Sequence, residues 1–121
     1  MSGLGTALVV ALAGGVGSAL RFLADRAVPT RARDRYPWGT MIVNLTGSLA
    51  LGVLTGMLLD HTWAPVLTVG LLGGYTTFST ASLECLELLR QERRAAALLH
   101  GPGMIVACTA VAISGILLTA T

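Results

Sequence analysis

The sequence predicts an all-α integral membrane protein with four transmembrane helices. Of its 121 residues, 54% are hydrophobic and only 12% are charged, and the mean hydropathy is +0.75. Four apolar segments approach the length of about 20 residues that crosses a hydrocarbon core. These segments use nearly the whole chain, so residues 1–121 form one domain and any function lies among the helices. The predicted spans cover about residues 4–24, 38–59, 62–89 and 97–120.

The first span has no basic residue before its apolar run, so it is interpreted as a retained helix rather than a signal peptide. Its run Gly14-Gly15-Val16-Gly17-Ser18 resembles part of a phosphate-binding loop. Leu20 replaces the third glycine of that fingerprint, and no Gly-Lys-Ser/Thr follows. Close helix packing is the favoured interpretation. Arg21, at the edge of the span, is expected to snorkel to the interface.

The second span opens with Pro37-Trp38-Gly39 and continues without a charge. Its strongly polar residue is Asn44. An amide in hydrocarbon must find partners, so Asn44 faces either a neighbouring helix or a wet cavity, and the sequence leaves both open. Gly52-Val53-Leu54-Thr55-Gly56 is a GxxxG motif, which indicates close helix contact.

The third span contains the stretch Gly73-Gly74-Tyr75-Thr76-Thr77-Phe78-Ser79-Thr80. Glycine and hydroxyl-bearing residues weaken a helix, through backbone entropy or competing hydrogen bonds. We therefore predict a break near the middle of the membrane. Such a break survives only when it is buried in protein or lines a water-filled cavity. Glu84 lies one turn beyond Thr80, from where it faces solvent or a vestibule.

Catalytic and metal-binding patterns are not recognised in the sequence. His61 and His100 are interpreted as loop residues without a convergent set of partners, and no nucleophile is placed with a base, so the protein is not expected to be an enzyme. Cys85 and Cys108 lack the spacing of a zinc or redox site and are interpreted as small buried hydrophobes.

All eight basic residues are arginine, and they cluster around the first and third loops. They are Arg21, Arg26, Arg31, Arg33, Arg35, Arg90, Arg93 and Arg94. The positive-inside rule places both loops in the cytoplasm of a multi-pass protein of the cell inner or plasma membrane, if its orientation is fixed. Intervening acidic residues and few aromatics argue against nucleic-acid binding.

The polar groups inside the spans indicate the charge of a transported species. The central parts of the spans carry no ionisable acid or base, which weakens the case for a proton-coupled cation carrier. The Asn44 amide and the threonine and serine hydroxyls supply neutral donors for an anion, and Phe78 adds a ring with an electropositive edge. Carbonyls freed at a break suit a hard cation.

Three segments together resemble the CrcB or Fluc family of fluoride channels. They are 14–22 (GGVGSALRF), 38–48 (WGTMIVNLTGS) and 70–80 (GLLGGYTTFST). The resemblance covers essentially the whole chain, in the order and four-span layout of the family. It implies a passive channel that exports cytoplasmic fluoride, built in the membrane as an antiparallel dual-topology-type dimer with two pores.

The resemblance also implies roles for single residues. Backbone carbonyls of Gly73 and Thr76 would hold a structural, untransported sodium ion at the dimer centre. Arg21 and Glu84 would lie in a vestibule. The pore would be lined by Asn44, Phe78, Thr77, Ser79 and Thr80.

Two features depart from the family pattern. Ala81 stands where the motif usually has a second phenylalanine, and the arginines are all predicted on one side. A homodimer that tolerates Ala81 and a heterodimer with an oppositely oriented paralogue are both compatible with the sequence. Two other functions also remain. One is a small four-helix multidrug or cation exporter, although the sequence lacks the membrane carboxylate that such a protein is expected to have. The other is a non-transporting membrane scaffold.

Overall fold

The computed structural model describes residues 2–58 and 61–120, and within those ranges the regular secondary structure is entirely helical. The α-helices are α1 (Gly3–Ala27), α2 (Thr30–Arg33), α3 (Trp38–Leu58), α4 (Leu72–Tyr75), α5 (Ser79–Arg90), α6 (Arg94–Leu98) and α7 (Met104–Thr119). Val66–Leu71 and Leu99–Gly103 are π-helical segments that lead into α4 and α7.

In the described part of the chain, three helical runs are long and apolar enough to cross a membrane: Gly3–Ala27, Trp38–Met57 and Arg94–Thr119. The prediction of an all-α membrane protein is confirmed at this level. The predicted span 62–89 contains no single helix of that length, because its helical backbone is divided among Val66–Leu71, α4 and α5. The four-span count therefore stays a prediction. The predicted end of the second span, Leu59, and the predicted limits of the domain, Met1 and Thr121, lie outside the described residues.

Local sequence signals explain where the long helices begin and end. The Ser2 hydroxyl accepts a hydrogen bond from the Gly5 N–H at 3.1 Å and caps α1. Val28 is extended (φ −73°, ψ 129°), as expected for a residue that precedes proline, and α1 ends there. Pro37 directly precedes α3, where a missing N–H costs nothing.

The glycine-rich run of α1 packs closely against the first π-helical segment and α4. A Cβ on Gly17 would overlap the Leu71 carbonyl oxygen, and one on Gly74 would overlap the Gly14 carbonyl oxygen. A Cβ on Gly70 would lie 2.9 Å from the Val10 carbonyl oxygen. The packing interpretation of this run is confirmed, because its glycines let two backbones touch.

The GxxxG motif of α3 packs against α7 in the same way. A Cβ on Gly52 would overlap the Ala112 carbonyl oxygen, and a Cβ on Gly115 would lie 2.8 Å from the Val53 nitrogen. The Thr119 hydroxyl donates a 3.2 Å hydrogen bond to the Val53 carbonyl oxygen across the same interface. Backbone contact of this kind lets two membrane helices associate through van der Waals packing.

A small apolar core lies at the arginine-rich end of the molecule. Tyr36, Leu88 and Ala97 are buried together, with Cys85 packed against them. The Cys85 thiol donates a 3.4 Å hydrogen bond to the Ala97 carbonyl oxygen, and both cysteines are free and half-buried. This core joins the beginning of α3 to α5 and α6.

Candidate functional site

The helical backbone stops after Tyr75 and resumes at Ser79, within the stretch that the sequence marks as weak helix. Thr76 is extended (φ −81°, ψ 161°). Three residues, 76–78, therefore form an interruption between α4 and α5. An interrupted helix exposes backbone N–H and C=O groups that need other partners when they are buried.

Asn44 of α3 supplies partners for the buried residue Thr77. Its Nδ2 donates to the Thr77 carbonyl oxygen at 2.9 Å, and its Oδ1 accepts from the Thr77 N–H at 2.8 Å. The second Nδ2 hydrogen faces the Met104 sulfur at 3.1 Å, and a thioether is a weak acceptor. Asn44 thus bonds a neighbouring segment, as one of its two sequence interpretations expects, and it also lines the cavity described below.

Two side chains of α1 reach the same interruption. The Ser18 hydroxyl donates to the Gly74 carbonyl oxygen at 3.3 Å. Arg21 Nη1 donates to the Thr76 carbonyl oxygen at 3.4 Å. Arg21 is thus half-buried against the interruption, whereas the sequence favoured snorkelling to the interface. The guanidinium binds here rather than at the membrane interface because the Thr76 carbonyl, which has no helical partner among the described residues, lies within its reach.

Hydroxyl groups complete the interruption. The Thr77 hydroxyl oxygen accepts the Thr80 N–H at 3.1 Å, in the manner of a helix cap, and lies 3.5 Å from the Ser79 hydroxyl. The Thr76 hydroxyl donates to the Leu72 carbonyl oxygen at 2.9 Å. Ser79 and Thr80 are exposed, whereas Thr77 is buried. The two threonines therefore have different roles. The buried Thr77 side chain caps the start of α5, and the Thr80 side chain is exposed.

Phe78 and Ala81 differ in exposure. Phe78 is 77% exposed, whereas Ala81 is buried. Gly73 is exposed, and a Cβ placed on it would meet nothing within 4 Å. The surface at Gly73 and Phe78 is thus open in the single chain, while the position of the missing second ring is buried.

A cavity of about 640 Å³ opens beside the interruption. It is bounded by α3, the interruption, α5, the second π-helical segment and α7. Its lining residues include Asn44, Ser48, Gly73, Thr76, Thr77, Phe78, Ala81, Ser82, Cys85, His100, Met104, Ile105, Cys108 and Thr109. The predicted residues Ser79, Thr80, Arg21 and Glu84 are not among those that line it.

The Gly73 and Thr76 carbonyls fit the chemistry of a hard cation. The Thr77 N–H, which a continuous helix would direct to the Gly73 carbonyl, donates to Asn44 instead. The Thr76 carbonyl belongs to the interruption and, among residues 2–58 and 61–120, accepts only the long bond from Arg21. Within residues 2–58 and 61–120 no group of three His, Cys, Asp or Glu side chains forms a metal cluster. Backbone oxygens are the cation ligands that this site offers.

A second polar set, which the sequence did not predict, centres on His100. His100 is 1% exposed, its Nδ1 lies 3.1 Å from the Tyr36 hydroxyl, and its Nε2 lies 3.1 Å from Glu84 Oε1. A carboxylate accepts, so we assign the proton to Nε2 and the Tyr36 hydroxyl as donor to Nδ1. Burial, together with the nearby charge of Glu84, raises the pKa of Tyr36 to about 12.

The interpretation that His100 lacks a convergent set of partners is wrong. Its partners lie 64 and 16 residues away along the chain, so sequence spacing gave no signal for them. The local signal was the sequence His100-Gly101-Pro102-Gly103 inside an apolar run. Pro102 cannot donate a backbone hydrogen bond, and the helix widens there into the π-helical segment Leu99–Gly103.

Comparison with known proteins gives a consistent result. The profile of the family described as "CrcB-like protein, Camphor Resistance (CrcB)" matches residues 8–116. A protein of Leifsonia xyli subsp. xyli named "Fluoride-specific ion channel FluC 1" is 45% identical over 102 residues, which is 81% of this chain and 74% of that protein. A protein of Mycobacterium tuberculosis named "Fluoride-specific ion channel FluC 2" is 41% identical over 116 residues, covering 91% and 92% of the two chains.

Proposed function

Because the chain belongs to the CrcB family, we propose that it is a fluoride-selective ion channel. Relatives at 41–45% identity carry the name of fluoride-specific ion channels, and a channel is not an enzyme. The observation that supports this function in the chain itself is the polar interruption at residues 76–78, held by Asn44 beside a cavity. The fluoride would move passively, down its own gradient, from the cytoplasm.

Neutral hydrogen-bond donors would replace part of the water around the anion. The Asn44 hydrogen that faces the Met104 sulfur has a weak partner, so an anion would take it at little cost. The Thr77 hydroxyl accepts the Thr80 N–H and so keeps its own proton available, and Ser79 and Thr80 continue the hydroxyl series. Neutral donors bind an anion without holding it too tightly for conduction.

An antiparallel dimer would complete each pore. Phe78 is 77% exposed in the single chain, and its ring edge would face fluoride once a second subunit covers this face. That subunit is either a copy of this chain or an oppositely oriented paralogue. Ala81 and the one-sided arginines favour the paralogue, whereas the homodimer needs no second protein.

Sodium would act as a structural ion between the two subunits. Each chain would contribute the Gly73 and Thr76 carbonyl oxygens, and two chains would surround the ion with four. The Thr76 oxygen would then turn to the ion from the Arg21 guanidinium, which holds it at 3.4 Å in the single chain. The open space at Gly73 supports this arrangement, because another backbone can approach it. The ion would supply positive charge that holds the two interruptions together.

The remaining roles concern the pore entrance and the orientation of the chain. Arg21 and Glu84 would lie near the vestibules, with the Glu84 carboxylate positioned by His100. The protein would be a multi-pass protein of the cell inner or plasma membrane with four spans, the third of them broken near the midplane. The arginine-rich first and third loops would be cytoplasmic if the orientation is fixed.

Fluoride efflux from liposomes tests the proposed function. Vesicles loaded with potassium fluoride and containing the purified chain should release fluoride when valinomycin balances the charge. Matched vesicles loaded with potassium chloride should retain their chloride. Asn44→Ala should reduce the release, whereas Ser114→Ala is a matched control because that hydroxyl bonds its own helix at Ala110, 2.8 Å away. Equal chloride release would overturn fluoride selectivity.

The same assay separates the assemblies and the remaining alternatives. Flux from the chain alone indicates a homodimer, and flux only after co-expression with a paralogue indicates a heterodimer. Replacing sodium should lower the dimer fraction, measured by crosslinking. An intact dimer without flux in either case would instead favour a scaffold, in which Asn44 only ties α3 to the interruption.

A further inference from the structure

A second cleft lies at the arginine-rich end, apart from the cavity beside the interruption. Its volume is about 560 Å³. It is formed where α1 ends, α2 follows and α3 begins. The lining residues are Ala24, Ala27, Val28, Pro29, Ala32, Trp38 and Ile42. None of them lines the larger cavity, so this cleft has no part in the proposed conduction path.

The cleft runs from a membrane interface toward the hydrocarbon. Trp38 and Ile42 are four residues apart on α3 and share one face of that helix. Both are partly exposed, at 41% and 44%. Trp38 begins the helix, where tryptophan is typical of the headgroup region, and Ile42 lies one turn farther in. The opposite wall carries small alanines, which leave room for a narrow apolar chain.

Several arginines lie next to the lining residues of this cleft along the chain. Arg26 lies between two lining residues of α1, and Arg31 and Arg33 flank the lining residue Ala32 on α2. Arg31 is exposed. Together with Arg35, four arginines stand against the two aspartates Asp25 and Asp34. The local charge is therefore positive beside an apolar surface.

The existing acidic partner satisfies this charge only in part. Arg33 Nη1 lies 3.9 Å from Asp25 Oδ2, a long ion pair between half-exposed groups. Arg33 Nε is buried and has no hydrogen-bond partner in the described part of the chain. A buried N–H without a partner is costly, so the Arg33 side chain would be stabilised if it turned outward to an anionic oxygen.

We propose that the cleft binds an anionic phospholipid, with an acyl chain against Trp38 and Ile42 and the phosphate near Arg31 and Arg33. The apolar lining accounts for the acyl chain, and the nearby arginines account for a negative headgroup. Basic pockets beside membrane helices commonly hold such lipids. A bound lipid would join the ends of α1 and α3. This inference does not depend on the transport of fluoride.

Lipid retention measured by native mass spectrometry tests the proposal. The full-length protein in a neutral detergent is titrated with dioleoylphosphatidylglycerol or with dioleoylphosphatidylcholine, which carry the same acyl chains. We expect roughly tenfold stronger retention of the anionic lipid, in line with the attraction of several arginines. Equal retention of the two lipids would overturn the proposal.

Two variants locate the binding site. Arg31→Gln with Arg33→Gln should abolish the preference for phosphatidylglycerol, while Arg90→Gln with Arg94→Gln, the same charge change on another loop, should keep it. Ala32→Phe retains every arginine but fills the cleft, so it should weaken retention of phosphatidylglycerol. Unfolding temperatures measured in detergent identify any variant that fails to fold.

Other occupants give different results. If inorganic phosphate displaces the bound phosphatidylglycerol at millimolar concentration, the arginines bind a free anion and the acyl chain has no role. If Ala32→Phe changes the dimer fraction and leaves lipid retention unchanged, the cleft is occupied by a second copy. Loss of retention in the Arg90/Arg94 control would show only a general effect of charge. Each of these results contradicts the proposal.

Discussion

The interruption at residues 76–78 and the α3–α7 helix pair use the same residue types in different ways. The glycines of the pair lie in continuous helices, and the exposed hydroxyls of Thr109 and Ser114 donate to carbonyls of their own helix, at 2.7 and 2.8 Å. Thr119 bonds its own helix as well as Val53 of α3. At the interruption, the helix is broken and Asn44 bonds a residue 33 positions away. Glycine and hydroxyl residues therefore serve packing when they are spread along helices, and form a polar site when they are clustered.

The largest expected loss in the free energy of unfolding is for a substitution of Asn44 at the interruption. Asn44→Ala leaves the buried N–H and C=O of Thr77 without partners, and each such group costs about 1–3 kcal/mol. We expect a loss of about 4 kcal/mol in the free energy of unfolding, measured by denaturant titration in mixed micelles. A loss below 1 kcal/mol would mean that water replaces the amide, by the same accounting.

Glycine substitutions give the next largest loss of stability. The loss is expected at Gly52 in the α3–α7 interface rather than at Gly73 beside the interruption. Gly52→Ala places a Cβ against the Ala112 carbonyl oxygen, and overpacking of this kind costs about 2–3 kcal/mol. Gly73→Ala meets open space in the single chain and should leave the subunit's stability unchanged. It should instead lower the dimer fraction, measured by crosslinking with and without sodium. Equal destabilisation by the two substitutions would remove the distinction between these glycines.

A pH-dependent effect is expected at Tyr36, which lies outside both regions. Its pKa is raised to about 12 from the ordinary 10.0, so the folded state holds the phenol proton more tightly than the unfolded chain does. The resulting stability is fully present below pH 10 and is lost as the pH rises from 10 to 12, by at most about 3 kcal/mol. Unfolding temperatures of the wild type and Tyr36→Phe should converge over this range. A constant difference between them would contradict this account.

The smallest effect is expected for hydroxyls that bond their own helix. Ser114 is exposed, and its hydroxyl only duplicates the bonding of the Ala110 carbonyl within α7. Ser114→Ala should therefore change the free energy of unfolding by less than about 0.5 kcal/mol. A larger loss would show that this face of α7 contacts a partner, which crosslinking at position 114 would detect.

The sequence predicted features that depend on neighbouring residues better than features that depend on residues distant along the chain. Apolar length and capping residues act locally, so the predicted span of residues 38–59 agrees with α3 (Trp38–Leu58) where the chain is described. The interval between α4 and α5 falls within the weak stretch 73–80, while a break near the middle of the membrane stays a prediction. The bond from Arg21 to the Thr76 carbonyl and the set around His100 depend on tertiary contacts, which residue spacing does not encode.

The candidate site was therefore accessible from sequence only in part. Asn44 stands out because an amide inside a span needs a partner, but the identity of that partner, Thr77, appears only in the fold. The exposure of Phe78 and the burial of Ala81 likewise depend on how α5 packs. The resemblance to a family supplied residue roles that composition and periodicity leave open.

Anion-selective flux through the purified chain tests the central claim most directly. Liposomes that contain the chain, with its paralogue where the homodimer is silent, should release fluoride while retaining chloride. Asn44→Ala should suppress this release, and Ser114→Ala should not. Equal release of both anions, or fluoride release that is unchanged by Asn44→Ala, would contradict the account in which Asn44 and the interruption form the path.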